Sequence, residues 1–236
     1  MNWKEDIKEV VATEVKFLLF RPVRPDMTRL GNYYFTLGIA TAWLAGVGRY
    51  WDNERAELWQ YLGLGSVTYI FVLALILWLL IMPLRPKNWS YKGVVTFVGM
   101  TSPPAILYAI PVERFLTLST ASMINVLFLA IVATWRVGLL FQYLRRSARL
   151  SGFTIFVAAM LPITMIVATL TGLNLEHVVF RFMAGIMKEE KTANDAAYRI
   201  LFLITFFSVM FSPVLLMAYL DIIYRKWRKG KMKIPG

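Results

Sequence analysis

Long apolar stretches recur along this chain and are separated by short polar and basic segments. The hydrocarbon core of a bilayer is about 30 Å thick and needs about 20 apolar residues for each helical span. We predict six such spans, at residues 30–47, 61–84, 93–110, 120–143, 153–173 and 199–223. The expected fold class is therefore all-α, a polytopic transmembrane helical bundle within residues 30–224.

The first 29 residues follow a different pattern. On one side of a helix they place six apolar residues, Trp3, Ile7, Val10, Val11, Val15 and Leu18, with charged residues opposite. This spacing predicts an amphipathic helix whose apolar face either lies in the headgroup region or packs on the ends of the other helices. The early glutamates do not fit a cleavable signal, so we expect this segment to be retained.

Two further segments lie outside the predicted spans. Residues 174–197 are apolar in part but too short in their apolar run to cross a bilayer, so we predict an interfacial or re-entrant helix there. Residues 225–236 form a strongly basic segment, which we predict to be a cytoplasmic tail.

Composition agrees with a membrane protein. The chain is 58% hydrophobic and only 17% charged, yet its net charge is +12. The basic residues lie in short blocks between apolar spans, which indicates contact with anionic lipid headgroups and not with nucleic acid. The predicted headgroup contacts are Arg145, Arg146, Arg149, Arg225, Lys226, Arg228 and Lys229.

The distribution of basic residues also predicts the topology. With the N-terminus cytoplasmic, eighteen of the 26 lysines and arginines fall in cytoplasmic segments and seven in outside segments, and Arg136 lies within a span. Cytoplasmic segments carry an excess of Lys and Arg in membrane proteins, so both termini are expected inside. Short loops and small size favour a prokaryotic plasma (inner) membrane.

The third predicted span contains a break signal at its middle. Thr101 and Ser102 are followed there by Pro103 and Pro104. Proline lacks the N–H that an interior helical residue donates, so the helix must lose hydrogen bonds at this point and bend. Transporters use free backbone groups of this kind at broken helices, although proline kinks also serve packing alone.

Three polar side chains lie within the other spans. Arg136 either extends toward water at the cytoplasmic end of the fourth span or pairs with Asp221 near the same end of the sixth. Asn125 either forms a hydrogen bond between helices or lines a polar path. Together with residues 101–104, these side chains are the candidate intramembrane polar site.

Motifs of catalysis and metal binding are not found in the sequence. There is no phosphate-binding glycine loop, zinc-protease helix or serine-nucleophile elbow. Without cysteine and with His177 as the single histidine, a closed transition-metal site is not expected. We therefore predict no catalytic residues, no metal and no cofactor.

Two segments carry a resemblance to a known family. In residues 91–104, Gly99 and Pro104 have the spacing of a family glycine and proline, and the fourth span ends in residues 135–138. On these features, the region from Tyr61 to Leu173 resembles the Yip1 family of small multispanning membrane proteins. The resemblance implies a helical bundle without catalysis that organises membranes or partner proteins. In eukaryotes that role is linked to vesicle trafficking and small GTPases.

Two functions follow as expectations. The first is a non-enzymatic scaffold, assembly or accessory subunit with a protein partner or a homo-oligomer, in which small residues such as Gly38, Ala42 and Gly46 form helix contacts. The alternative is a small transporter or channel, possibly for anions, with a path at the broken third helix.

Overall fold

The fold is described from a computed structural model of the chain, which describes residues 3–23, 26–27, 29–51, 57–150, 152–173 and 195–231. These residues form eight α-helices, which confirms the all-α fold class. The helices are α1 Trp3–Leu18, α2 Gly31–Tyr50, α3 Leu58–Tyr61, α4 Leu64–Ile81, α5 Tyr91–Met100, α6 Leu118–Arg146, α7 Phe153–Gly172 and α8 Asp195–Lys231. Short 3-10 helices lie at Met82–Leu84, Pro103–Ala109 and Val112–Arg114.

Four helices of the described residues are long and apolar enough to cross a membrane. They lie at Leu64–Leu84, Met123–Arg146, Phe153–Gly172 and Phe202–Arg228. They coincide with the second, fourth, fifth and sixth predicted spans. A protein with four such helices is a membrane protein by length and composition.

The first and third predicted spans do not meet the same standard. Helix α2 has 20 residues but includes Asn32, Thr41 and several glycines, so it is less apolar than the four others. Helix α5 has only 10 residues, a rise of about 15 Å, which is half the thickness of a bilayer core. The count of six spans therefore stays a prediction.

Helix α8 differs from the predicted boundaries at both ends. It begins at Asp195, inside the segment predicted as interfacial, and runs to Lys231, inside the predicted tail. Basic residues at a helix C-terminus interact favourably with the helix dipole, so the start of the basic segment continues the helix. The predicted interfacial segment otherwise lies outside the described residues.

The chain divides into two compact units. The first comprises Met1–Trp78, Asn88–Pro111 and Val132–Tyr143. The second comprises Leu79–Lys87, Val112–Ile131 and Leu144–Gly236.

In the first unit, small residues let helices approach closely. A Cβ atom added to Gly38 of α2 would lie 2.8 Å from the carbonyl carbon of Gly99 in α5. On the next turns of α2, Ala45 packs with Ala105 and Val132 in a buried cluster. The small residues predicted to contact a partner therefore pack inside this chain, at least where α2 meets α5.

Helix α1 is attached to the first unit by its C-terminal half. Phe17 packs edge-on against Phe97 of α5, with ring centroids 6.1 Å apart. The indole Nε1 of Trp135 donates to the carbonyl oxygen of Leu18 at 2.9 Å. These contacts hold one side of α1 against protein.

The start of α1 is attached through a charged cluster. Arg29 donates to the carboxylate of Asp6 at 3.1 Å and also pairs with Glu9. Asp6 is buried, so its carboxylate needs this cation nearby. The linker that precedes α2 is therefore paired with the first half of α1.

The second unit is built on the contact between α7 and α8. Val157 and Leu161 of α7 are fully buried. The hydroxyl of Tyr219 in α8 donates to the carbonyl oxygen of Leu80 at 2.8 Å, and the Lys226 ammonium donates to the carbonyl oxygen of Leu84. Both acceptors lie near the end of the Leu64–Leu84 span, where carbonyl groups lose their helical partners.

Candidate functional site

The break of the third predicted span is the centre of the candidate site, and the structure confirms the break. Helix α5 ends at Met100, and a 3-10 helix begins at Pro103. In a continuous α-helix, the carbonyl oxygen of Thr101 would accept from the N–H of Ala105. Here the Ala105 N–H instead donates to Ser102 O, at 2.9 Å, so the Thr101 carbonyl is freed from the helical ladder.

Local hydrogen bonds stabilise the break. The Thr101 hydroxyl donates to the carbonyl oxygen of Val98 at 2.7 Å, and both Thr101 and Ser102 are buried. Hydroxyl groups that bond to the preceding turn take up part of the backbone hydrogen-bonding capacity lost at prolines. The backbone conformation at Thr101 and Ser102 is therefore stabilised by side-chain hydrogen bonds to the preceding turn.

The Arg136 side chain reaches this break. Its Nε donates to the freed carbonyl oxygen of Thr101 at 3.0 Å. Its guanidinium carbon lies 5.8 Å from the ring centroid of Tyr69, within the range of a cation–π interaction. Arg136 is half-buried and lies in the Met123–Arg146 span, about 15 Å before its end.

Arg136 has no carboxylate partner among the residues that the structure describes. A guanidinium group carries five N–H donors and stays charged at any physiological pH. The bond to Thr101 uses only the Nε donor, so the two terminal nitrogens keep their donors for another acceptor.

A second arginine lies near the same aromatic group. The guanidinium carbon of Arg49 is 5.4 Å from the ring centroid of Tyr108. The Tyr108 hydroxyl lies within electrostatic range of both Arg49 and Arg136. Two cations, two tyrosines and a freed carbonyl thus occupy one region of the first unit, which we call the Arg136 site (Arg49, Tyr69, Thr101, Tyr108 and Arg136).

Part of this site was predicted from the sequence. Arg136 and the break at residues 101–104 were both predicted, and the structure brings them together. Tyr69, Tyr108 and Arg49 were not predicted as site residues. The signal for Arg49 was its position at the end of α2, but only packing shows that it faces Tyr108.

The other predicted members of the polar site lie in the second unit. Asp221 forms an ion pair with Arg225, one turn later in α8, at 2.8 Å. Asn125 is half-buried and has an interaction of its own. Asp221 and Arg136 each have a partner within their own unit. The ion pair between them stays a prediction.

Most of the predicted headgroup contacts are exposed in the structure, namely Arg145, Arg146, Arg149, Arg225 and Arg228. Lys226 is half-buried because its ammonium group donates to Leu84, and the side chain of Lys229 lies outside the described residues. Exposure leaves the five arginines accessible to lipid, and their contact with headgroups stays a prediction.

No cluster of three or more His, Cys, Asp or Glu side chains that could hold a metal ion occurs in the described part of the chain. His177 and the adjacent Glu176 lie outside it.

No protein-family model, no curated protein and no solved structure matches this chain. The resemblance to the Yip1 family therefore stays a prediction from residues 91–104 and 135–138.

Proposed function

We propose that this chain is an integral membrane protein that binds a small anion at the Arg136 site and conducts it across the membrane. The observation that carries the proposal is the half-buried Arg136 without a carboxylate partner among the described residues. A charged side chain in the middle of a span costs at least about 2.5 kcal/mol, so it needs water or a counterion.

The chemistry of the site favours an anion over a cation. Arginine presents paired N–H donors whose geometry suits planar oxyanions such as nitrate and carboxylates, and phosphate oxygens. The site places Arg49 close to Tyr108, and the Tyr108 phenol is within electrostatic range of both Arg49 and Arg136.

The broken helix supplies a route for the ion. Irregular backbone is tolerated at membrane depth only where it is buried in protein or lines a polar cavity. Residues 101–104 place such backbone next to Arg136. Substrate sites of many transporters are formed by broken helices of this type, and positively charged side chains select anions in pores.

Flux through proteoliposomes tests this function. The purified chain is reconstituted, and uptake of chloride, nitrate, sulfate and phosphate is followed with a membrane potential of either sign. We expect flux of at least one anion, a loss of about tenfold or more in Arg136→Gln, and partial retention in Arg136→Lys, since one desolvated charge contact contributes a few kcal/mol.

Arg145→Gln is the matched control because Arg145 lies on the same helix and is exposed. It should leave flux unchanged. An equal loss in both variants, or no flux of any of the four anions in the unmodified chain, would overturn the proposal. Monodisperse elution of each variant in detergent establishes that it has folded.

A second function, a non-enzymatic scaffold or accessory subunit, is favoured by one feature of α8. The Phe202–Arg228 span is the least buried of the four, and Phe202, Phe206, Phe207 and Phe211 remain exposed along it. Such a face contacts lipid or a helix of another chain. Small interface residues usually support helix association, but the contact of Gly38 with Gly99 uses one of them inside this chain.

The mass of the intact assembly in nanodiscs distinguishes the two functions. A defined heteromeric partner that copurifies from native membranes would establish the subunit role. A strict monomer, with no neighbour captured by crosslinking in native membranes, would remove it.

A further inference from the structure

Helix α1 carries apolar residues on two different sides. The inner side places Val10 and Phe17 against the first unit, where both are buried. A second row repeats every four residues and stays exposed. We call it the α1 stripe; it consists of Trp3, Ile7, Val11 and Val15 of α1 and of Leu19, which directly follows the helix. Each of these five side chains is between 41% and 59% exposed, along about 24 Å of chain.

Two of the four acidic residues of α1 are turned away from solvent, which is unusual for an amphipathic helix. Asp6 and Glu14 are buried on the inner side, and Glu9 pairs with Arg29. Burial raises the pKa of the Glu14 carboxyl to about 8, so this group is mostly neutral at pH 7. We call Arg29, Asp6 and Glu9 the Arg29 cluster. Of the four acidic residues in α1, Glu5 is the one that is both exposed and outside this cluster.

The basic residues of α1 remain on the outside. Lys4, Lys8 and Lys16 are exposed, and the Lys4 ammonium lies 5.8 Å from the ring centroid of Trp3. The outer surface of α1 therefore combines an apolar stripe with a net positive charge. This combination is complementary to a bilayer with anionic headgroups.

The end of α1 is fastened to a helix of membrane-spanning length. Trp135 donates to the carbonyl oxygen of Leu18, and the Gln142 side chain donates to the carbonyl oxygen of Arg21 at 3.2 Å. Both donors lie within the Met123–Arg146 span. Since that span is long and apolar enough to cross a membrane, α1 is held close to the bilayer.

We propose that the α1 stripe lies in the interface of an anionic bilayer, with its valines and leucine among the acyl chains and its lysines at the headgroups. Helix α1 then has three environments around its circumference: protein on its inner side, lipid at the stripe and water at Glu5 and Ala12. This proposal does not depend on anion conduction at the Arg136 site.

Spin-label accessibility tests the proposal directly. The chain has no cysteine, so single cysteines at Val11, Val15 and Ala12 give site-specific labels. The full chain is placed in nanodiscs of phosphatidylcholine and phosphatidylglycerol, and collision with oxygen and with a water-soluble nickel chelate is measured. We expect an oxygen-to-nickel ratio several-fold higher at Val11 and Val15 than at Ala12, the exposed control on the polar side.

Three outcomes would overturn the proposal. Nickel accessibility at Val11 and Val15 equal to that at Ala12 would place the stripe in water. Labels at Val11 and Val15 that neither reagent reaches would show that protein covers the stripe, from a second copy or another chain. The same depth in nanodiscs of phosphatidylcholine alone would remove the role of the anionic headgroups.

A second measurement avoids labels on the helix. Trp3 is one of eight tryptophans, so its emission is obtained as the difference between the unmodified chain and Trp3→Phe. Brominated lipids should quench this difference signal in nanodiscs. A difference signal that acrylamide quenches and brominated lipids do not would contradict the interfacial position.

Discussion

Gly38 and Gly99 bring two helices of the first unit into backbone contact. A Cβ atom at Gly38 would lie 2.8 Å from the Gly99 carbonyl carbon, and one at Gly99 would lie 3.0 Å from the Gly38 Cα. The nearest atoms on both sides are backbone atoms, so neither neighbour can rotate away. The position of α5, and with it the start of the break at Thr101, depends on this approach.

Gly38→Ala should therefore destabilise the protein. Separating the two backbones costs about 1–3 kcal/mol, which exceeds the gain of up to about 1 kcal/mol from alanine in a helix. Thermal unfolding in mild detergent measures the difference. Gly172→Ala is the control, because a Cβ there has nothing within 4 Å, and its melting temperature should be equal or slightly higher.

Arg29→Gln should loosen the start of α1. The Asp6 side chain is only 6% exposed, and without the guanidinium group its buried carboxylate lacks that cation. Hydrogen exchange of the α1 amides should become faster. Arg21→Gln, which changes an exposed side chain, should leave exchange in α1 unchanged, and equal exchange in both variants would argue against the Arg29 cluster.

The attachment of α1 should weaken as pH rises, because of Glu14. Its carboxyl is buried, both oxygens lack a hydrogen-bond partner among the described residues, and burial raises its pKa from 4.5 to about 8. The attached state holds this proton between the two pKa values while a released helix loses it, so stability falls as pH rises from about 4.5 to 8 and is level above.

Glu14→Gln should remove this pH dependence, which amounts to at most about 5 kcal/mol over that range. The measurement is hydrogen exchange of the α1 amides as a function of pH, corrected for the intrinsic effect of pH on exchange. Glu5→Gln alters an exposed carboxyl and should keep the dependence of the unmodified chain. A pH profile that Glu14→Gln leaves intact would assign the dependence to another group.

Tyr219→Phe should destabilise the second unit. It removes the hydrogen bond from the Tyr219 hydroxyl to the carbonyl oxygen of Leu80, and such a bond contributes about 0.5–1.5 kcal/mol. Unfolding in detergent is the measurement. Tyr224→Phe is the matched control on the same helix, since Tyr224 is 65% exposed. The free energies of unfolding of the two variants should differ by about 0.5–1.5 kcal/mol.

The sequence by itself determined the helical class and four of the membrane-length helices. Twenty-residue apolar runs have one stable outcome in lipid, because an unpaired backbone group there costs several kcal/mol and a helix pairs its own. The break after Met100 was also predictable, since two consecutive prolines remove two donors. By contrast, Pro162 and Pro213 occur singly, and α7 and α8 continue through them.

Only the tertiary structure decided which side chains meet. Nothing in the spacing of residues shows that Arg136 bonds to Thr101, 35 positions earlier, or that Arg49 faces Tyr108. The periodicity of α1 predicted an apolar face, but not that the helix buries Asp6 and Glu14 and leaves the α1 stripe exposed. Helix patterns report the environment of each helix separately, whereas partners depend on how the helices pack against one another.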